Sequence, residues 1–407
     1  MPTFFVSGLC MQGNKGGPAL ALSLVECIRT FIPDAHFVFA VPGSANEWPH
    51  ETRWAEAYGF PVVKAISAKD FIPPFSLSDA RRKRFRKWLK AVKEADAFIQ
   101  MSAICYVGPP SGSGSLKSMI TSSRYTDFVL TRLMRKKMYA WTQSYGPLTT
   151  SAVRLCARMD LKRQPIVFCR GDDCRDAVKA LLPDSRALSF PDVAITLPYD
   201  RDSGRSLLKI FSLANAPFVT LSPSAVMYAR SNTQAGNTHV EECISICRNV
   251  LDLGYSILLV PHTVRPSAPD PRRCDREVAR LVHEGAADEK IQLLEEDLSP
   301  VQLKSIIANA QFHIGARYHS LVAALSTGVP SISISWHPKY RDLMRAYGQE
   351  RFTLEEQGEE TASSLIDTLV TDLNASRQII HGEQEELAAE VYENARLFCE
   401  LLQGGTS

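Results

Sequence analysis

At 407 residues the chain is longer than one hydrophobic core usually supports, which makes two domains the expectation. Apolar residues at 45% and charged residues at 22% exclude a disordered or fibrous protein, and a net charge of +2 is too small to signal nucleic-acid binding. No segment approaches the ~20 uninterrupted apolar residues of a membrane-spanning helix. The apolar start from Phe4 to Met11 lacks a basic lead and runs into Gly13-Asn14-Lys15-Gly16-Gly17, so it reads as a first strand and places the chain in the cytoplasm.

In chain order, short β-branched and aromatic runs alternate with longer helical patterns, the grammar of βαβ units in parallel sheets. Strands are expected at Thr3 to Ser7, His36 to Val41, Pro61 to Val63, Ala97 to Met101, Met138 to Gln143 and Ile166 to Cys169. Helices fall between them at Pro18 to Phe31, Asp79 to Ala95, Asp127 to Lys136 and Leu148 to Arg158. The second half repeats the pattern, with strands at Phe218 to Leu221, Ile257 to Val260, Ile291 to Leu294, Phe312 to Ile314 and Ser331 to Ser335. Its helices are expected at Thr238 to Leu253, Arg272 to His283, Pro300 to Ala308, Ser320 to Ser326 and Pro338 to Tyr347. Strong helix formers from Glu383 to Leu402 predict a terminal helix.

These elements give an α/β protein of two Rossmann-like domains facing across a cleft, a GT-B-like architecture with a C-terminal helix. The expected divisions are residues 1–200, 201–375 and 376–407, with the join near Leu197 to Ser206, where Pro198 and Gly204 interrupt the apolar pattern. In such sheets ligands bind outside the carboxyl ends of strands. The residues that follow strands therefore carry the functional information.

Ten cysteines in a chain of this length, without a CxxC pair, read as thiols rather than a disulfide framework or a zinc site, and no metal is expected. The Pro-Gly-Ser stretch from Pro109 to Ser115 reads as a surface loop, or as a lid over the cleft. One dense basic run, Arg81 to Lys90 interleaved with Phe85, Trp88 and Leu89, reads either as a solvated surface helix or as a contact for an anionic membrane surface or a diphosphate-bearing acceptor.

Four segments after strands hold the candidate site residues. Gly13 to Ala19 offers Asn14, Gly16 and Gly17 as a substrate loop at a helix start, or simply a βα turn. Arg170 closes the strand Ile166 to Cys169, where a guanidinium can clamp a carboxylate or phosphate, or pair with a nearby aspartate. Phe312 to Ser320 presents Arg317, a fixed positive charge, and His319, which exchanges protons near neutral pH. Lys339 follows the strand Ser331 to Ser335 at the head of a helix.

Ile314-Gly315-Ala316-Arg317-Tyr318-His319-Ser320, Gly328-Val329-Pro330 and Trp336-His337-Pro338-Lys339 together resemble the carboxyl-terminal signature of the polysaccharide pyruvyl transferases. Further likeness lies in Asn14 to Ala19, Gln143 to Leu148, Arg170 to Asp172 and Pro261-His262-Thr263, in the same order along the chain. The resemblance implies transfer of a pyruvyl group from phosphoenolpyruvate onto a sugar as a cyclic ketal, for polysaccharide or cell-envelope synthesis. It implies catalytic roles for His319 and Arg317 and donor binding by Arg170, Arg317 and Lys339. Phosphoenolpyruvate is then a donor substrate and no cofactor is needed; the acceptor is a lipid-linked or nucleotide-linked sugar. Met101 to Cys105 lacks the paired glycines many relatives carry there. Two other readings stay open: a nucleotide-sugar-dependent GT-B glycosyltransferase and a catalytically silent glycan-binding relative.

Overall fold

The computed structural model describes residues 1–66, 79–106, 123–233, 236–267, 269–335, 337–355 and 361–404. The loop Pro109 to Ser115 lies outside them. The chain divides into two units, one of residues 1–11, 20–193 and 390–407, the other of residues 12–19 and 194–389.

In unit 1 a five-stranded parallel sheet runs in the order Val62–Lys64, His36–Val41, Thr3–Ser7, Ala97–Gln100, Met138–Ala140. Its strands are rich in Phe and Val because a parallel sheet is covered on both faces. Helix Asp79–Glu94 turns Trp88 and Val92 into this core, where Trp88 meets Phe5 edge-on at 5.7 Å. The apolar residues of the basic run are thus spent inside the protein, and charge alone faces outward at Arg81, Arg82, Lys83, Arg86 and Lys87. A second pair of parallel strands, Val167–Arg170 and Ala187–Phe190, is joined through a bridge from Cys169 to Gln143. Phe398, near the end of helix Leu373–Gly404, packs on Trp141 at 4.7 Å and on Phe168 at 5.8 Å.

Unit 2 holds a six-stranded parallel sheet in the order Ile291–Leu293, Ser256–Leu259, Phe218–Ser222, His313–Gly315, Ser331–Ser335, Thr353–Glu355. The chain builds outward from Phe218–Ser222 to one edge, then returns to lay His313–Gly315 on its other side. That reversal makes a switch point, where the strand ends leave a crevice suited to a ligand.

The units part at residue 193, a few residues before the expected join. The buried Lys304 explains the difference, since its ammonium donates to the carbonyls of Ile195 (2.9 Å) and Leu197 (2.7 Å) and fixes that stretch to unit 2. Asp200 N donates to Ser305 Oγ at 3.0 Å, and Arg201 donates to Thr327 O at 2.7 Å. The terminal helix is also longer than expected and contributes to both units. No disulfide links the ten cysteines, and among the described residues no helix is long and apolar enough to cross a membrane.

Candidate functional site

The switch point of unit 2 is built by its own sequence. A Cβ on Gly315 would lie 2.7 Å from His313 Nε2 and 2.8 Å from Ser320 Oγ, so only glycine lets the chain turn there. His313 is fully buried between Thr220 Oγ1 and Ser320 Oγ, each 2.9 Å from a ring nitrogen. Burial pushes its pKa down to about 3, which leaves it a neutral clasp of strand to helix. That agrees with its sequence placement in the strand. The next residues leave the strand end and enter helix Tyr318–Leu325.

Arg317 sits at the N-cap of that helix. Its Nε donates to Asp275 Oδ2 at 2.7 Å and its Nη2 to Asp275 Oδ1, a two-point pair that fixes the guanidinium plane. Asp275 is fully buried and is itself held by Ala225 N at 2.8 Å. The Arg317 side chain keeps 14% exposure, and its Nη1 makes no hydrogen bond among the described residues.

His319 is half-buried, one residue into the helix, with its ring edge-on to Tyr318 at 5.3 Å. Gly16 closes the other side: a methyl group there would stand 2.1 Å from His319 Nδ1. Lys339 joins the group through aromatic rings. Its ammonium lies 5.0 Å from the Tyr318 ring and 5.4 Å from the Tyr340 ring, within cation–π range, and Tyr340 Oη donates to Ala316 O at 3.3 Å. The structure therefore brings Arg317, His319, Lys339 and Gly16 together.

The segment expected to form a substrate loop belongs to unit 2 although it follows the first strand of unit 1. Gly13-Asn14 pairs antiparallel with Thr263-Val264, and Lys15 N donates to His262 O at 2.9 Å. Asn14 Oδ1 accepts from Gly16 N at 3.1 Å, a bond to the first residue of helix Gly16–Phe31. Gly17 lies inside that helix.

Arg170 occupies unit 1. Its side chain is 3% exposed and pairs at 2.5 Å with Asp192, which is fully buried. Nε donates to Ser144 Oγ at 3.0 Å and Nη2 to Ala103 O. Neither Asp172 nor Asp173 is this carboxylate partner, which the sequence offered as nearby candidates.

Four residues beside the turn had no role assigned from the sequence, although Lys15 and His262 lie in segments that resemble the family. Lys15 is 1% exposed and ion-paired with Asp297. His262 is buried, and burial pushes its pKa down to about 4. Lys304, also buried, is pushed down to about 7. Asp275 anchors Arg317. A small cavity of about 20 Å³ is lined by Lys15, His262, Lys304 and His319 against Leu197 and Val322. The signal for Lys15 was present in the loop, but glycines on both sides drew attention to the backbone. A larger cavity in unit 1, about 540 Å³, is lined by Arg132, Lys137, Arg163 and Glu400 among others and includes none of the candidate residues.

The turn can therefore present fixed cations, a titratable imidazole and helix-start amides to one anionic ligand. Among the described residues no group of His, Cys, Asp and Glu is arranged to hold a metal ion.

Comparison with solved structures shows the fold. A UDP-GlcNAc 2-epimerase from Neisseria meningitidis bound to UDP-GlcNAc is similar at TM-score 0.60 and 10% identity, covering 99% of this chain and 100% of that one. A putative UDP-N-acetylglucosamine 2-epimerase from Listeria monocytogenes gives 0.59 and 11%, covering 100% and 96%. The UDP-GlcNAc 2-epimerase from Methanocaldococcus jannaschii gives 0.58 and 9%, covering 98% and 99%. The shared architecture is two Rossmann-like domains of the GT-B kind. No curated protein matches the chain. The polysaccharide pyruvyl transferase family model matches residues 21–338, a span that contains Arg170, Arg317 and His319 and ends one residue short of Lys339. The chain belongs to the polysaccharide pyruvyl transferase family.

Proposed function

We propose that this protein moves a pyruvyl group from phosphoenolpyruvate onto two hydroxyls of a sugar, closing a cyclic ketal and releasing phosphate. The observation that supports it is the gathering of Arg317, His319 and Lys339 around one strand-to-helix turn, inside a chain of this family. Phosphoenolpyruvate offers a carboxylate and a phosphate, the two groups such a turn is equipped to hold.

In this reading His319 protonates the methylene carbon of the donor, and cationic character develops at the adjacent carbon. A sugar hydroxyl attacks that carbon and loses its proton. Departure of phosphate follows, and a second hydroxyl closes the ketal. Of the two hydroxyl protons released, one balances the proton added to the methyl group and the other leaves with phosphate. Arg317 offers the Nη1 end of a guanidinium already oriented by Asp275, so little ordering remains to be done when the donor arrives. Lys339 adds charge held between two tyrosine rings.

Arg170 we assign first to bracing the segments that carry Ser144 and Asp192. A direct donor contact, as expected from the sequence, is the competing role. The acceptor is proposed as a lipid-linked or nucleotide-linked sugar and the setting as cytoplasmic. With the apolar face of helix Asp79–Glu94 buried, contact with an anionic membrane is proposed to act through charge, weakening as salt rises.

The test is incubation of purified protein with phosphoenolpyruvate and a panel of lipid-linked and nucleotide-linked sugars. Phosphate release with a product heavier by one pyruvate less one water is expected. Transfer of a glycosyl group from a nucleotide sugar, without consumption of phosphoenolpyruvate, would make it a glycosyltransferase instead.

A further inference from the structure

The charges around the turn are already partly spent. Asp275 offsets Arg317, and Asp297 offsets Lys15. The two carboxylates differ in one respect. Asp275 is fully buried and accepts a backbone N–H from Ala225, so it is fixed in place. Asp297 keeps 22% exposure, in the stretch between strand Ile291–Leu293 and helix Pro300–Ile307, while its partner Lys15 is 1% exposed.

A buried ammonium that loses its anion is strongly destabilised unless other acceptors take over, as two carbonyls do for Lys304; for Lys15 the partner is the Asp297 carboxylate. The position of the Asp297 carboxylate therefore marks where an anion is held from the solvent side. Lys15 is tied by its backbone to His262, precedes the glycine that touches His319, and lines the same small cavity as His319. An anion on Lys15 is thus next to the imidazole proposed to carry the proton.

We infer that Lys15 is a phosphate-binding residue held in reserve by Asp297, and that the phosphate group of the donor takes the place of the Asp297 carboxylate when it binds. The inference rests on the transferase reading for the identity of the phosphate's owner. Asp297 acts as a built-in competitor. It keeps Lys15 charged and oriented in the empty enzyme, and on displacement it moves toward water, where a carboxylate is well solvated.

The experiment uses inorganic phosphate alone, followed by calorimetric titration and by thermal unfolding of the full chain. Lys15→Met should weaken phosphate binding roughly tenfold or more, the loss of a charged hydrogen bond, and Lys15→Arg should retain most of the affinity. Asp297→Asn removes the competitor and should bind phosphate several-fold more tightly than the wild type. Should Asp297→Asn prove poorly folded, added phosphate should raise its unfolding temperature more than it raises that of the wild type, since ligand supplies the missing anion. Unchanged phosphate binding in a folded Lys15→Met protein overturns the inference. So does an Asp297→Asn protein that phosphate stabilises no more than the wild type. A protein whose phosphate binding follows Lys15 and Asp297 in this way but which never consumes phosphoenolpyruvate would support the inference while contradicting the transferase reading.

Discussion

Unit 1 and unit 2 each place an arginine at the end of a strand and pair it with a fully buried aspartate, yet the two pairs are built for different work. Arg170 is buried, and Nε, Nη1 and Nη2 all donate within unit 1, to Ser144, Asp192 and Ala103. Arg317 spends its Nε and Nη2 on Asp275, while its Nη1 makes no hydrogen bond among the described residues and its side chain keeps 14% exposure, two residues before His319. An arginine after a strand is therefore ambiguous by itself. The position of its carboxylate partner decides whether the guanidinium is consumed or aimed.

The comparison can be broken by substitution. The largest effect is expected at His319, whose replacement by Ala should lower the single-turnover rate by about 10² to 10⁴ while leaving donor affinity near that of the wild type. Near-normal turnover would remove His319 as the acid. Arg170→Ala strands Asp192 in the core and should cost about 3 to 5 kcal/mol of stability in denaturant titration. A loss below about 1 kcal/mol would show that the pair is not a brace. Gly16→Ala puts a methyl group 2.1 Å from His319 Nδ1. It should cost about 1 to 3 kcal/mol as an overpacked contact and slow the chemical step by displacing the ring; an unchanged rate would show that the contact does not set the geometry of the imidazole.

A further effect is on stability against pH. His262 and His313 are neutral in the folded protein, with pKa values lowered by burial to about 4 and about 3. In the unfolded chain each would titrate near 6.5, so between those values the unfolded state binds more protons. Their contribution is complete above about pH 6.5 and is lost as pH falls toward 4 and below. Urea midpoints should therefore drop across that range, with a shallower slope in His262→Gln. An equal slope in that variant would contradict the burial argument for His262.

Much of this arrangement was legible in the sequence, for identifiable reasons. The strands His36–Val41, Phe218–Ser222 and Ser331–Ser335 announce themselves through β-branched and aromatic runs, because parallel strands covered on both faces need them. Arg317, His319 and Lys339 were found because they follow strands. The terminal helix was expected to begin at Glu383 because Gly382 reads as a break. It begins at Leu373, and Gly382 is tolerated there with open space around it, at a cost of about 1 kcal/mol. Helix Trp48–Ala57 was not expected, although Pro49 in its first turn is a helix-start signal. Partnerships formed across the chain left no local trace. Nothing near Lys15 points to Asp297, nothing near Arg317 points to Asp275, and the transfer of residues 12–19 to unit 2 rests on pairing with Thr263-Val264, far along the sequence.

The most direct measurement is a titration of phosphoenolpyruvate into the wild type, Arg317→Lys and Arg170→Lys, each checked for folding by thermal unfolding. A lysine keeps the charge but loses the planar two-point geometry, so it separates aimed from consumed guanidinium groups. The account predicts that Arg317→Lys, compared under conditions where it is folded, binds the donor roughly tenfold or more weakly, whatever stability it loses with the two-point pair to Asp275. Arg170→Lys should bind it as the wild type does and unfold at lower temperature. A folded Arg170→Lys protein that has lost donor affinity, beside an Arg317→Lys protein that has kept it, would contradict the assignment of the donor site to the unit 2 turn.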